Sequence, residues 1–215
     1  MSETETPARR QHSSLGDEIV GRIEQLAAVS EAPGHLTRIF LTPQHLAAAE
    51  LILGWMQSAG MRAHLDAIGN VCGRYEGGAV GLPCLMLGSH YDTVHDAGKW
   101  DGPLGLLAAI ACVADLHSRG RRLPFAVEVT CAPWLRSQLA EAVAGEGFRV
   151  FELPSGAGHD GMAMIDVADV AMLFVRCKGG ISHHPDEHVD PADADAGARV
   201  LLRLIENFRP RDMAP

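Results

Sequence analysis

The chain has 215 residues, 47% of them hydrophobic and 21% charged, so it can bury a core and lacks the composition of a disordered protein. It carries 18 Lys and Arg against 27 Asp and Glu, which argues against nucleic acid as a partner, because phosphate backbones are bound by basic surfaces. No apolar run approaches the roughly 18–20 residues needed to cross a bilayer, so we expect no membrane association.

The N-terminal residues are polar and lack the apolar stretch of a signal peptide. We therefore expect a flexible tail at residues 1–15, followed by a single domain over residues 16–215. Five scattered cysteines, none in a Cys-x-x-Cys pair, favour buried thiols in a reducing compartment over disulfides or a thiolate zinc site. They are Cys72, Cys84, Cys112, Cys131 and Cys177. The expected location is cytoplasmic.

Helical patterns recur along the chain. The clearest one begins after Thr42, a good N-cap, with Pro43 at the first helical position, and ends at Gly60. Apolar spacing predicts further helices at 19–28, 104–116 and 134–144, and a last one opening at Asp190-Pro191.

Segments with strand character lie between these helices. Residues 61–66 alternate strictly between apolar and polar side chains, whereas residues 83–87 are continuously apolar, as in a strand buried on both faces. Strands are predicted at 61–66, 71–75, 83–87, 125–130, 148–152 and 170–175. Strands alternating with helices indicate an α/β fold with a mainly parallel sheet.

Three loops that follow predicted strands carry His or Asp. His90 and Asp92 are two residues apart on an extended segment, so their side chains point to the same side. That arrangement suits an imidazole that binds a metal through one nitrogen while a carboxylate holds the other. A structural His–Asp hydrogen bond accounts for this pair equally well.

The other two loops contain Asp101, before the helix at 104–116, and His183-His184, after the last predicted strand. Taken alone, Asp101 is more often a helix cap, and paired His residues in a Gly-rich loop are more often solvated. Because all three loops offer ligands that suit Zn²⁺ or Mn²⁺, a metal site is favoured.

A fourth loop, Pro154 to Asp160, also follows a predicted strand. Its small residues would let backbone N–H groups approach an anion. It is neither a Walker loop nor a hydrolase nucleophile elbow, and a plain turn remains the alternative.

Residues 88–105, GSHYDTVHDAGKWDGPLG, resemble the first metal segment of a family of dinuclear amidohydrolases. This family includes allantoate amidohydrolase and N-carbamoyl-L-amino acid hydrolase (the hydantoinase/carbamoylase group) and belongs to the zinc aminoacylase and exopeptidase superfamily. Similar motifs occur over most of the chain, from about residue 15 onward. They are LTRIFLTPQHLAAAELILGWMQSAGM (36–61), DAIGNVCGRYEG (66–77), LPSGAGHDGMAM (153–164) and MLFVRCKGGISHHPDEHV (172–189).

The resemblance implies a three-layer helix–sheet–helix domain and a role for each matched residue. His90 would bind one metal, Asp101 would bridge two metals, and His183 would bind the other, while Asp92 would orient His90. His184 stands where the family motif usually has Asn. The SGAGHD segment would line the substrate pocket, with Ser155, Gly156, Ala157 and His159 as the substrate-binding residues. The implied reaction is hydrolysis of a ureido or carbamoyl C–N bond. The family binds two divalent metal ions, which could be Zn²⁺, Mn²⁺ or Co²⁺.

The chain also departs from the family pattern. The strand ending at Thr130 should run into a Glu-Glu pair that supplies the general base and a ligand, but Cys131-Ala132-Pro133-Trp134 follows at once. A His-Ile-Glu-Gln-Gly segment with a further His ligand is absent, as is the smaller lid domain through which the family dimerises. The chain thus resembles a catalytic domain with its middle excised near residues 130–131.

Two interpretations follow from this pattern. The first is an amidohydrolase domain for small ureido substrates that is inactive or strongly impaired and binds one ion or none. The second is a non-catalytic metal-binding or structural remnant acting through a partner. Without the lid, we expect a monomer or a self-contact foreign to the family.

Overall fold

The computed structural model describes residues 14–67, 69–127, 133–151 and 171–209. Among them are five α-helices and four short strands. The helices are α1 (Leu15–Ala27), α2 (Pro43–Ser58), α3 (Pro103–Ser118), α4 (Pro133–Gly145) and α5 (Pro191–Asn207). The strands are β1 (Arg62–Leu65), β2 (Val71–Arg74), β3 (Cys84–Leu85) and β4 (Ala126–Val127). The predicted α/β class and all five predicted helices are confirmed. None of the helices in this part of the chain is both long and apolar enough to cross a membrane.

Local signals explain where the helices begin. The Thr42 hydroxyl accepts a hydrogen bond from the His45 N–H, and Pro43 occupies the first position of α2. Ser14 caps α1 through a capping box with Asp17. Helices α1, α3 and α5 pack against one another, and α4 packs on α5. Their shared core includes Ile19, Leu107 and Ile205, each fully buried.

The strands form two small sheets joined by one bridge. Strands β1 and β2 pair antiparallel, with Arg62 opposite Arg74, and α2 packs on this hairpin. Strands β3 and β4 pair parallel, with Cys84 opposite Ala126. An isolated antiparallel bridge between Tyr75 and Val127 connects the hairpin to β4, so the pairing is mixed.

Two strand predictions fail in the described residues, and a third holds only in part. The strand predicted at 83–87 is present as β3, but it is not buried on both faces, because Leu85 is buried while Cys84 is exposed. Residues 148–151 form no strand, since the Phe148 N–H bonds to the Val143 carbonyl, which closes the end of α4. Residues 171–175 form no strand either.

The segment 171–175 shows why its apolar pattern was misleading. Ala171 and Leu173 pack on Val200 and Leu204 of α5, so the segment buries alternate side chains as a strand would. An extended segment can bury alternate side chains without a partner strand, whereas a β-strand is defined by its backbone hydrogen bonds to an adjacent strand. The apolar pattern therefore predicted the packing correctly and the strand pairing wrongly.

The prediction of buried cysteines is mostly wrong in the described residues. Cys112 is buried, whereas Cys72 and Cys177 are half-buried and Cys84 is exposed; none of these four is in a disulfide. Cys131 lies outside the described residues. The predicted junction near 130–131 lies outside the described residues, and the single-domain boundary stays a prediction.

Candidate functional site

His90, Asp92, Asp101 and His183 lie together at one place in the structure. The Nε2 atom of His90 is 3.6 Å from Oδ2 of Asp101, and the Nε2 atom of His183 is 3.2 Å from the same oxygen. The three loops identified in the sequence therefore meet at Asp101. All four side chains are partly solvent-accessible, with relative exposures between 37% and 56%, so a small molecule can reach them.

Asp92 contacts the opposite edge of the His90 ring. His90 Nδ1 lies 3.0 Å from the Asp92 carbonyl oxygen and 3.4 Å from its Oδ1 atom. With its proton on Nδ1, His90 donates to Asp92 and turns Nε2 toward Asp101, the orientation that a metal-binding imidazole requires. The hydrogen bond to Asp92 raises the pKa of His90 to about 9, with burial opposing it and Asp101 adding to it. The same bond lowers the pKa of Asp92.

Asp101 does not cap α3, although an Asp just before a helix is more often a cap. The N-cap residue of α3 is Gly102, and no side chain caps this helix. Gly102 has a φ of +80°, and a Cβ atom there would lie 2.6 Å from ring atoms of His90. Only glycine accommodates both the left-handed backbone and the close approach of the imidazole. The turn before α3 is thus built around the His90 ring, and the Asp101 carboxylate remains free to face both imidazoles.

His183 and its neighbour His184 differ in their surroundings. His183 has a φ of 57°, an unfavourable conformation for a residue with a side chain. Such strain costs about 1–3 kcal/mol and is concentrated at functional sites. His184 is 59% exposed and accepts a hydrogen bond from the Asp186 N–H at 3.1 Å, which fits the solvated turn residue considered for this loop.

Sequence reasoning missed one residue of this site, Glu187. It is buried, and its Oε2 atom has no hydrogen-bond partner. Burial raises the pKa of Glu187 to about 7, and repulsion from Asp101 adds to this, whereas the His183 imidazole and the backbone N–H groups of Asp101 and His183 lower it. The only sequence signal is an acidic residue four positions after His183, and burial of a glutamate cannot be recognised from its neighbours.

The donor set has the chemistry for one divalent ion. Two ligands bonded at 2.0–2.1 Å to a tetrahedral ion lie about 3.3 Å apart, close to the two N–O distances at Asp101. The buried Oε2 atom of Glu187, which lies beside Asp101 and His183 and has no hydrogen-bond partner, is a further feature that a bound cation would satisfy. Within the described part of the chain, however, no three His, Cys, Asp or Glu side chains are grouped closely enough to hold an ion. Both imidazoles face the same oxygen of Asp101, so these residues fit one ion better than a bridged pair.

The predicted substrate-binding residues Ser155, Gly156, Ala157 and His159 lie outside the described residues. Their role, like the ligand roles of His90, Asp101 and His183, stays a prediction.

Comparison with known proteins identifies the relatives of this chain. Residues 125–207 match the model of peptidase family M20/M25/M40. Over 107 residues, half of this chain and 22% of the relative, it is 46% identical to allantoate deiminase 1 of Glycine max. Over 106 residues it is 35% identical to the N-carbamoyl-L-amino acid amidohydrolase of Geobacillus stearothermophilus, covering 49% of this chain and 26% of that enzyme. Residues 125–207 are thus similar to M20 peptidases, and about half of the chain is similar to allantoate deiminases and N-carbamoyl-L-amino acid amidohydrolases.

A solved structure supports the fold independently of the sequence. A hydantoinase/carbamoylase-family amidase from Burkholderia multivorans superposes with a TM-score of 0.83 at 15% identity. The superposition covers 89% of this chain and 97% of that one, so the two chains share one fold over most of their lengths. The matched segments span only about a quarter of the curated relatives.

Proposed function

We propose that this chain is the hydrolytic portion of an M20 amidohydrolase that cleaves the C–N bond of a ureido or carbamoyl compound, such as allantoate or an N-carbamoyl amino acid. The observation that carries this proposal is the convergence of the His90 and His183 Nε2 atoms on one oxygen of Asp101. The names of the relatives supply the substrate class.

In this proposal His90, Asp101 and His183 hold a divalent ion, Zn²⁺, Mn²⁺ or Co²⁺. When bound, such an ion supplies Lewis acidity to polarise the ureido carbonyl group and activate water. Asp92 keeps the Nδ1 proton of His90 in place, so that Nε2 presents its lone pair. Glu187 contributes negative charge next to Asp101 and His183, and burial protects that charge from screening by salt.

We further propose that turnover by this chain alone is strongly reduced. A hydrolase of this type needs a carboxylate to shuttle the proton of the attacking water. The Glu-Glu motif expected after Thr130 is missing from the sequence. Of the carboxylates at the site, Asp92 is engaged with His90 and Glu187 is buried, so neither is free to take that role.

The test measures metal content and turnover of the full chain. Elemental analysis of the purified protein is expected to give about one divalent ion per chain, with little or no hydrolysis of allantoate and N-carbamoyl amino acids. His90→Ala and His183→Ala should each lose the ion, and His184→Ala is the matched control that should keep it.

Other results would contradict specific parts of the proposal. Two tightly held ions with measurable hydrolysis would show that other residues replace the missing carboxylates. Absence of any ion, with the three variants indistinguishable from wild type, would refute the metal site and favour a structural remnant acting through a partner.

A further inference from the structure

Arg38 is a fully buried arginine located behind the candidate metal site. Its relative exposure is 0%, and its guanidinium makes three hydrogen bonds to backbone carbonyls. Nε donates to the Tyr91 carbonyl at 2.7 Å, while Nη1 donates to the carbonyls of Leu26 at 2.8 Å and Val29 at 3.1 Å. One side chain thus ties the end of α1 to the residue between His90 and Asp92.

The backbone of Arg38 is bound to the same loop. The Arg38 N–H donates to the Thr93 hydroxyl at 2.8 Å, and the Thr93 N–H donates to the Arg38 carbonyl at 2.9 Å. The Tyr91 ring is also fixed, because it is buried and stacks on His45 with ring centres 4.3 Å apart. Both the main chain and the side chain of Arg38 therefore hold residues 91–93 in place.

A charge in this position is costly. Burial lowers the pKa of Arg38 to about 10, and the nearby Asp92 carboxylate opposes that shift. The carbonyls at the end of α1 carry partial negative charge and stabilise the guanidinium further. An apolar side chain would fill the same volume without this desolvation cost. What it could not do is make directed hydrogen bonds to α1 and to the His90–Asp92 loop at once.

We propose that Arg38 is a positioning residue that fixes the His90–Asp92 loop, so that Nδ1 of His90 is held by Asp92 and Nε2 faces Asp101. The link to metal binding rests on the proposed function, whereas the link to the orientation of His90 does not. Arg38 acts through the Tyr91 carbonyl, since the hydrogen bonds of its guanidinium go to main-chain carbonyls.

The experiment compares Arg38→Met with Arg22→Met in the full chain. Arg22 is a matched control, because it is another largely buried arginine, on α1, whose contacts are Glu18 and the Trp55 ring. Zn²⁺ affinity is measured by competition with a chromophoric chelator. The ring-nitrogen chemical shifts of His90 are measured in the metal-free protein at one fixed pH and assigned with His90→Ala. Arg38→Lys is included, because one ammonium group can restore part of the bonding.

Arg38→Met is expected to weaken Zn²⁺ binding about 10- to 100-fold, the usual effect of losing an outer partner of a ligand, and to move the His90 ring signals. Arg38→Lys should fall between wild type and Arg38→Met. Arg22→Met should leave both quantities unchanged even where it lowers thermal stability.

Wild-type affinity and unchanged His90 signals in Arg38→Met would overturn the proposal, as would an equal loss in Arg22→Met. If wild type itself takes up no ion, the proposed function fails, and the His90 signals of the metal-free proteins still decide the role of Arg38. If Arg38→Met does not fold, the same two readouts on Arg38→Lys decide it.

Discussion

Replacing Glu187 with Gln should change how the stability of the metal-free protein depends on pH. Because the pKa of this buried acid is raised from 4.5 to about 7, the folded state holds its proton more tightly than the unfolded state does. The carboxyl thus contributes stability that is fully present below pH 4.5, declines as the pH rises, and is gone above pH 7. Glu187→Gln removes this dependence.

The size of the effect follows from the shift. A rise from 4.5 to about 7 corresponds to about 3 kcal/mol at 1.36 kcal/mol per pKa unit. The unfolding free energy of Glu187→Gln minus that of wild type should therefore increase by about 3 kcal/mol between pH 4 and pH 8. The difference at any single pH also contains the packing and hydrogen bonding of the new amide, so the change with pH is the quantity to compare.

Urea denaturation of the chelator-treated chain at five or six pH values measures this difference. Glu50→Gln, which removes an exposed carboxylate from α2, controls for the loss of a carboxylate as such. A difference between Glu187→Gln and wild type that is constant or falls with pH would refute the assignment of Glu187 as a buried carboxyl beside like charge. Added Zn²⁺ should stabilise Glu187→Gln less than it stabilises wild type, because the bound ion needs the negative charge that the substitution removes.

Two further predictions concern His90. Gly102→Ala should destabilise the fold by about 1–3 kcal/mol or more and weaken metal binding, since its Cβ would lie 2.6 Å from the His90 ring. Gly34→Ala separates strain from collision in the same denaturation and metal-titration assays, because Gly34 also has a φ of +80° but open space around it. Asp92→Asn should lower the pKa of His90 from about 9 toward 6.5, as followed by NMR of the metal-free protein. In wild type, the stability from the raised His90 pKa is full below pH 6.5 and is lost as the pH rises through 9, whereas the stability from the lowered Asp92 pKa is lost as the pH falls below 3.8. The variant should lose both dependences. An unchanged His90 titration in Asp92→Asn would show that Asp92 does not hold the Nδ1 proton.

How far the sequence predicts this structure depends on whether the signal is local. The boundaries of α2 were predicted well, because Thr42 and Pro43 act on the first turn of the helix they precede. The strand predicted at 170–175 was wrong, because strand formation depends on a pairing partner distant in the chain, and the apolar pattern reports only burial. Long-range pairing is the part of the fold that the sequence pattern did not determine.

The site follows the same logic. The positions of His90, Asp101 and His183 in loops after predicted strands favoured a metal site, and motif resemblance assigned a role to each. The structure brings these three loops together, a contact that the distances along the chain do not specify. Glu187 and Arg38 were missed because a charged residue in a sequence is expected at the surface, and only the tertiary structure shows that both are buried against the site loops.

Electrostatics connects these residues into one functional unit. Three carboxylates, Asp92, Asp101 and Glu187, surround the imidazoles of His90 and His183. In the metal-free protein the hydrogen bond to Asp92 and the charge of Asp101 favour a proton on His90, which is why the pKa of His90 is raised. A divalent ion also supplies positive charge but requires the unprotonated Nε2 atom, so the ion and the proton compete for one position. The carboxylates that raise the pKa of His90 are therefore the same groups that favour a cation between the loops.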